Sequence, residues 1–329
     1  MKAAAYSKPG PPDVLVYQDL PDPVCGPRDV VIDVHAVSIE GGDVLARARR
    51  PVASESPHVG GYLAAGVICQ VGSEVTDRHV GQRVTTSANA GSHASKRAVR
   101  ARAAWPVPDV LELDKAACIP VPFGTADDCL FEFGRLRAGE SVLIHAGSSG
   151  VGLAAIQLAK RAGATVLATA SSDSKLARLK DYGLDHGINY ADKSFVEEAK
   201  ALTGGGPDLV IDSVGGKNLE RSMHCAGYRG RIVSMGGAGR DPHQPSLVGL
   251  MGQNKTYISY YQGAELASKA QRDRARNNVQ RLINEVAEDR LQVVIDRRYK
   301  LSHAAEAHAY IESRKQFGRV ILIPDELAG

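Results

Sequence analysis

Gly147, Gly150 and Gly152 stand close together in the run Ala146-Gly147-Ser148-Ser149-Gly150-Val151-Gly152. A short apolar stretch, Ser141-Val142-Leu143-Ile144-His145-Ala146, precedes them. Residues 151–162 follow, with apolar side chains on a wide face and Gln157, Lys160 and Arg161 outside it. The order reads as strand, glycine turn, helix N-terminus. Glycines let backbone approach a pyrophosphate closely. The free N–H groups and the helix dipole then supply positive potential without a lysine. The spacing is G-x-x-G-x-G rather than G-x-G-x-x-G, so the context carries the weight, and a tight turn without a ligand is the alternative. The next apolar stretch, Thr165–Ala170, runs into Ser171-Ser172-Asp173, with Lys175 and Arg178 just beyond. An acid ending this strand would bond a ribose 2′-hydroxyl and repel a 2′-phosphate. Hydroxyls and a nearby cation favour NADP(H) instead, with Asp173 read as part of a helix N-cap. The alternative is that Lys175 and Arg178 form only a solvated helix face.

These residues must be held by regular elements, and the chain changes rhythm near residue 120. Before it, β-branched stretches at 29–37 and 65–72 and a turn into a third at 81–85 are punctuated by Gly and Pro, as in a small barrel or sandwich. After it, strands at 141–146, 165–170, 208–212 and 231–235 alternate with helices at 151–162 and 175–182. Several of these strands are apolar throughout, the pattern of a parallel sheet covered on both faces. A strand at 257–261 and a long polar helix over 267–288 follow. The tail reads strand, helix (303–312), strand (318–323), too short for a domain of its own. The expected division is therefore 1–120 with 267–329, and 121–266.

Composition excludes several classes. The chain has 329 residues, 43% hydrophobic and 23% charged, with a net charge of +3. That is a soluble globular balance, and the small charge excess does not point to nucleic acid or an anionic membrane as partner. No secretory signal and no apolar run of membrane-spanning length is visible, so a cytoplasmic location is expected. Cys25, Cys69, Cys118, Cys129 and Cys225 are scattered, with no C-x-x-C pair. Neither a disulfide framework nor a zinc knuckle is indicated.

Residues 139–152, Ala155-Ile156-Gln157-Leu158-Ala159-Lys160, residues 168–172 with Lys175-Leu176, Gly187-Ile188-Asn189-Tyr190 and residues 208–216 converge on one family. The chain resembles the medium-chain dehydrogenase/reductase superfamily, in its zinc-free quinone oxidoreductase (zeta-crystallin-like) branch. The likeness runs from Met1-Lys2-Ala3 to Gly318-Arg319-Val320-Ile321-Leu322-Ile323-Pro324. It implies an α/β protein with a Rossmann doubly wound parallel sheet plus a GroES-like β-rich catalytic domain, and NADPH in the cleft between them. By resemblance Ser149, Gly150 and Val151 meet the pyrophosphate. Ser171, Lys175 and Tyr190 meet the 2′-phosphate, with Arg314 as a further candidate. Ser213, Val214 and Gly236 lie along the adenosine and nicotinamide ends. A homodimer through the edge strand Tyr257 to Tyr261 is also implied.

The zinc-dependent relatives carry a C-x-x-D stretch and a His-Glu pair after a glycine. Here those places read Glu40-Gly41-Gly42-Asp43 and Gly61-Tyr62-Leu63, and no metal is expected from so few ligands. The branch often has Asn at Glu40 and Tyr at Leu45. Asp43 and Arg47 match the family's D-x-x-x-R, with a structural ion pair or helix end as the alternative for either. The resemblance implies reduction of quinones or α,β-unsaturated carbonyl compounds by hydride from nicotinamide. The alternatives are an enoyl-thioester reductase, or a redox-sensing or structural module that binds NADPH with little turnover. Three residues are candidates for the chemistry. Tyr62 is the hydroxyl that would stabilise charge on the acceptor oxygen, or simply a wall of the pocket. Glu40 is expected to be ionised in a loop that Gly41 and Gly42 leave open to water. The alternatives for it are a proton donor if burial raises its pKa, or a carboxylate bonded to backbone amides. Asp43 is placed beside it. His58 and His93 lie in loops of the same domain and could reach in, but a surface or structural histidine is the favoured reading of each.

Overall fold

The computed structural model describes residues 1–49, 51, 52 and 56–328. In chain order the first elements are β1 (Lys2–Tyr6), β2 (Val16–Asp19), β3 (Asp29–Ser38), α1 (Gly41–Arg49), β4 (His58–Val59), β5 (Leu63–Val71), β6 (Arg83–Ser87), β7 (Lys96–Arg100) and β8 (Ala104–Pro106). Two short helices, α2 (Leu113–Ala116) and α3 (Pro122–Asp127), lead into β9 (Ser141–Ile144), α4 (Gly150–Arg161), β10 (Thr165–Ala170), α5 (Asp173–Leu179) and β11 (His186–Asn189). Then come α6 (Phe195–Thr203), β12 (Leu209–Asp212), α7 (Gly216–Cys225), β13 (Arg231–Ser234), β14 (Thr256–Ser259), α8 (Gln262–Ala267) and α9 (Arg272–Ala287). The chain closes with β15 (Ile295–Lys300), α10 (Ala304–Glu312) and β16 (Arg319–Ile323).

The chain divides into two compact units, Met1–Val121 with Asn277–Gly329, and Pro122–Arg276. The second division falls inside α9, later than the expected break after 266. The helix expected over 267–288 is found as α9 but starts later, after a separate short helix that the sequence reading did not place. Ser268 turns extended, which ends α8, and α9 begins at Arg272.

The first unit is β-rich. Its larger sheet has the order β15-β16-β3-β5-β6-β8, with β7 paired to β3. The smaller sheet is β2-β1-β4. The tail returns to this unit because β16, an apolar strand, pairs antiparallel with β3 through Ile321–Ser38 and Leu322–Val37. Val30, Ile32, Val34, Val37, Ile68, Val84, Val320 and Leu322 share one core. Fully burying a side chain of this kind stabilises by about 1.5–3 kcal/mol.

The second unit is a doubly wound, all-parallel sheet of order β11-β10-β9-β12-β13-β14. This is the Rossmann-type arrangement. The chain leaves β9 toward β10 and β11, then returns to the other side for β12, β13 and β14. The winding direction therefore reverses beside β9, and such switch points are where open α/β sheets bind ligands. The α4 helix is apolar almost all round, with Leu153, Ala154, Ala155, Ile156, Leu158 and Ala159 buried, which makes it an interior helix.

Candidate functional site

The cofactor candidates of the second unit all follow the carboxyl ends of its strands. Ser149, Gly150 and Val151 open α4 after β9. Ser171 and Lys175 follow β10. Tyr190 follows β11, Ser213 and Val214 follow β12, and Gly236 follows β13. The sheet brings them to one edge because all its strands run the same way.

The turn after β9 is tight. Ala146 has φ 51°, the left-handed region that a non-glycine residue rarely occupies. A Cβ on Gly152 would fall 2.4 Å from Ala146 O and 2.6 Å from Gly147 O, so only glycine lets α4 pack against its own turn. Ser149 caps α4: its Oγ accepts from Gly152 N at 3.0 Å. The N–H groups of Gly150 and Val151 make no hydrogen bond among the described residues. They are the donors that an anion at a helix N-terminus would use.

No carboxylate ends β10. Ser172, rather than Asp173, is the N-cap of α5, accepting from Lys175 N at 3.4 Å. Asp173 is the first residue of α5, and its Oδ1 accepts from Asn189 Nδ2 at 3.3 Å. Ser171 is exposed, and Tyr190 is 48% exposed. Arg314 belongs to the first unit, exposed just past the end of α10.

The candidates of the first unit gather at the start of α1. Asp43 Oδ2 accepts from Glu40 N at 2.8 Å, the reach-back half of a capping box. Glu40 is 5% exposed and its Oε1 accepts from Arg319 Nη2. The same guanidinium donates to Ser38 Oγ at 2.6 Å and Ile39 O at 2.7 Å. Burial pushes the Glu40 carboxyl up, and Arg319 opposes that shift. Burial pushes Asp43 up to about 8, although its bond from Glu40 N lowers it. Tyr62 lies across the first turn of α1. A Cβ on Gly42 would fall 2.6 Å from its Cε2 and 2.8 Å from its hydroxyl, so Gly42 makes the room the ring occupies.

Two expectations change here. Glu40 is not in a loop open to water: Gly41 and Gly42 are the first residues of α1, and Glu40 turns inward to an arginine from the tail. Its partner is not a set of backbone amides either. His93 is a core residue, 1% exposed, with its ring edge-on to His308 at 5.2 Å. Burial drives its pKa to about 3, so it is neutral. His58 packs edge-on against Tyr6 at 5.2 Å. Arg47, 1% exposed, pairs with Glu312. No group of three or more His, Cys, Asp or Glu among the described residues is placed to hold a metal ion.

Sequence reasoning missed Arg319 and Arg97. Each is a guanidinium inside a strand, and a charge in an apolar run such as Arg319-Val320-Ile321-Leu322 demands a partner. Arg97 donates to Thr86 Oγ1 at 3.0 Å and, through Nη2, to Tyr62 O at 2.8 Å, Ala90 O at 2.9 Å and Ala88 O at 3.2 Å. It thereby fixes the backbone that carries Tyr62.

Known proteins share this arrangement. The family model described as "Alcohol dehydrogenase GroES-like domain" matches residues 26–109, and "Zinc-binding dehydrogenase" matches 150–296. A 2-haloacrylate reductase of a Burkholderia species is 31% identical over 98% of both chains. The chain belongs to the medium-chain dehydrogenase/reductase superfamily. Within this superfamily it falls in the zinc-free quinone oxidoreductase-like branch and is an NAD(P)H-dependent oxidoreductase. The Escherichia coli quinone oxidoreductase, solved in complex with NADPH, superposes with a TM-score of 0.91 at 27% identity, over 98% of this chain and 100% of that one. The enoyl reductase CurK gives a TM-score of 0.86 at 26% identity, over 98% and 99%.

Proposed function

We propose that this dehydrogenase/reductase is a zinc-independent, NADPH-dependent reductase of conjugated acceptors: quinones or α,β-unsaturated carbonyl compounds. The observation that carries the reading is the acid-free carboxyl end of β10, where Ser171 and Lys175 follow the strand and Asp173 is turned to Asn189. Ser171 and Lys175 would offer a 2′-phosphate a hydroxyl and an ammonium there, with no carboxylate ending the strand to repel it. Tyr190 follows the neighbouring strand, and Arg314 stays a candidate by resemblance alone. The Gly150 and Val151 N–H groups and the α4 dipole suit the pyrophosphate. Ser213, Val214 and Gly236 are assigned to the rest of the dinucleotide.

NADPH supplies the hydride when bound. The residues of the first unit handle charge and protons. Tyr62 donates its hydroxyl hydrogen to the acceptor oxygen as negative charge develops there, the role a metal fills in the zinc relatives. Asp43 is a neutral acid at pH 7 and the candidate proton reservoir. Glu40 is the counter-charge that keeps Arg319, and with it the end of β3, in place.

The similar proteins — a quinone oxidoreductase, a 2-haloacrylate reductase and an enoyl reductase — take a conjugated acceptor, which supports this substrate class. The enoyl reductase likeness keeps enoyl thioesters in the acceptor panel. We also propose a homodimer formed through β14, which lies at the sheet edge beside exposed Tyr228, Leu247, Val248, Met251 and Tyr261, and a cytoplasmic location. The test of function is NADPH oxidation by metal-stripped protein with a quinone, an enone and an enoyl thioester. Tight NADPH binding with no turnover on any of them would favour a binding module instead.

A further inference from the structure

Thr169, His145, Ser222 and Asp212 form a continuous side-chain series inside the second unit, each 2% exposed or less. His145 Nδ1 lies 3.0 Å from Thr169 Oγ1, and Nε2 lies 3.0 Å from Ser222 Oγ. Ser222 Oγ lies 2.7 Å from Asp212 Oδ2 and 2.9 Å from Asn218 O. Counting protons fixes the direction. A serine hydroxyl has one hydrogen, and both of these oxygens are acceptors, so that hydrogen points away from His145. Ser222 Oγ must then accept, and His145 Nε2 must carry a hydrogen. Burial, reinforced by the Arg221 guanidinium, pushes the His145 pKa down despite the nearby Asp212 carboxylate, so the ring is neutral. Its Nδ1 therefore accepts from the Thr169 hydroxyl. Phe195 holds the ring from the side, edge-on at 4.6 Å, and Arg221 stacks over Phe195 at 4.4 Å.

Of the two acceptors of the Ser222 hydrogen, the Asp212 carboxylate is nearer and charged, and with the hydrogen on it every donor in the series faces Asp212. That carboxylate in turn holds the turn after β12. Its Oδ1 accepts from Val214 N at 2.8 Å and Gly215 N at 2.9 Å, and its Oδ2 also accepts from Asn218 Nδ2 at 2.9 Å. The turn needs holding: Gly215 has φ 74°, and a Cβ on it would fall 3.1 Å from Gly236 O. From the other side, Ala238 N donates to Ser213 O at 3.0 Å and Gly239 N to Val214 O at 2.9 Å.

We propose that Ser222 and His145 are positioning residues for the cofactor. They fix the Asp212 carboxylate, and through it the turn Ser213-Val214-Gly215, in the conformation that receives NADPH. This rests on the proposed function and adds to it the residues that preorganise one wall of the dinucleotide site. Their side chains act through Asp212.

The experiment uses the full chain. NADPH affinity is measured by fluorescence titration for wild type, Ser222→Ala, Ser222→Thr and Thr169→Val, and the His145 ring is followed by nitrogen NMR. Ser222→Ala is expected to weaken NADPH by about tenfold, the scale of one hydrogen bond to a charged group, and Ser222→Thr to restore it to within about twofold. Thr169→Val, farther along the series, is expected to weaken it by about threefold. Wild-type His145 is expected as the Nε2–H tautomer alone, and Ser222→Ala should mix the tautomers. A role confined to core stability would lower the melting temperature and leave the affinity unchanged. Wild-type affinity in Ser222→Ala, or an Nδ1–H tautomer in wild type, overturns the relay. Should Ser222→Ala fail to fold, the wild-type tautomer and the Thr169→Val affinity decide the matter. A wild-type chain that does not bind NADPH defeats the cofactor reading itself, a different result.

Discussion

Lys175 and Asp43 give the most local tests. Lys175→Ala is expected to weaken NADPH by about 1.5–3 kcal/mol, the worth of a hydrogen bond to a charged group, and to leave NADH nearly unchanged. Equal losses for both cofactors would remove Lys175 from the 2′-phosphate. Asp43 offers a pH test whose sign is fixed. Its folded pKa of about 8 exceeds its ordinary value of 3.8, so the folded chain holds a proton that the unfolded chain releases. Stability therefore falls as pH rises from about 3.8 to about 8. His93 acts in the opposite sense. Its folded pKa of about 3 lies below its ordinary 6.5, so its contribution is lost as pH falls through 6.5 toward 3. Above pH 6.5 only the Asp43 slope remains of the two. Urea midpoints of wild type should decline between pH 6.5 and 8, and those of Asp43→Asn should not. Parallel profiles would show that Asp43 is ionised in the fold.

The elements set what could be read early and what could not. The turn from β9 into α4, and the alternation of β10, β12 and β13 with helices, were legible because apolar runs and glycines are local signals. The α4 cap joins Ser149 to Gly152, and the acid-free end of β10 is read from Ala170 to Lys175, so each lies within a few residues of sequence. The pairing of Glu40 with Arg319 was not legible, because it joins residues that only the β3–β16 pairing makes neighbours. The openness expected of Glu40 failed for a local reason as well: Gly41-Gly42 suggested a loop, but they start α1. That clamp makes a prediction at the element scale. Glu40→Gln leaves the buried Arg319 charge unmatched and should destabilise the fold by about 3–5 kcal/mol, whereas Glu40→Leu with Arg319→Met should recover much of the loss. Chemical denaturation of both variants checks it, and a double variant no more stable than Glu40→Gln would contradict the pair. The other element at issue is β14. The strand covers Thr256–Ser259, shorter than the expected 257–261, but it is an edge as expected. Ile258→Lys should turn a dimer into a monomer in sedimentation. An unchanged sedimentation coefficient would place the interface elsewhere.

At the scale of the whole molecule the proposed division of labour is between a parallel sheet that gathers the candidate dinucleotide residues on one edge and a β-rich unit that gathers Tyr62, Asp43 and the Glu40–Arg319 pair around the start of α1. No group of three or more His, Cys, Asp or Glu among the described residues is placed for a metal, and the proposed function therefore expects prolonged chelation to leave both the fold and the rate unchanged. Loss of activity restored by stoichiometric zinc would overturn that. The most direct measurement of all is the rate of NADPH oxidation by chelator-treated protein with and without a quinone or enone, run beside NADH at equal concentration. Acceptor-dependent oxidation is expected, with NADPH preferred. Bound NADPH that no conjugated acceptor oxidises, or a preference for NADH, would contradict it.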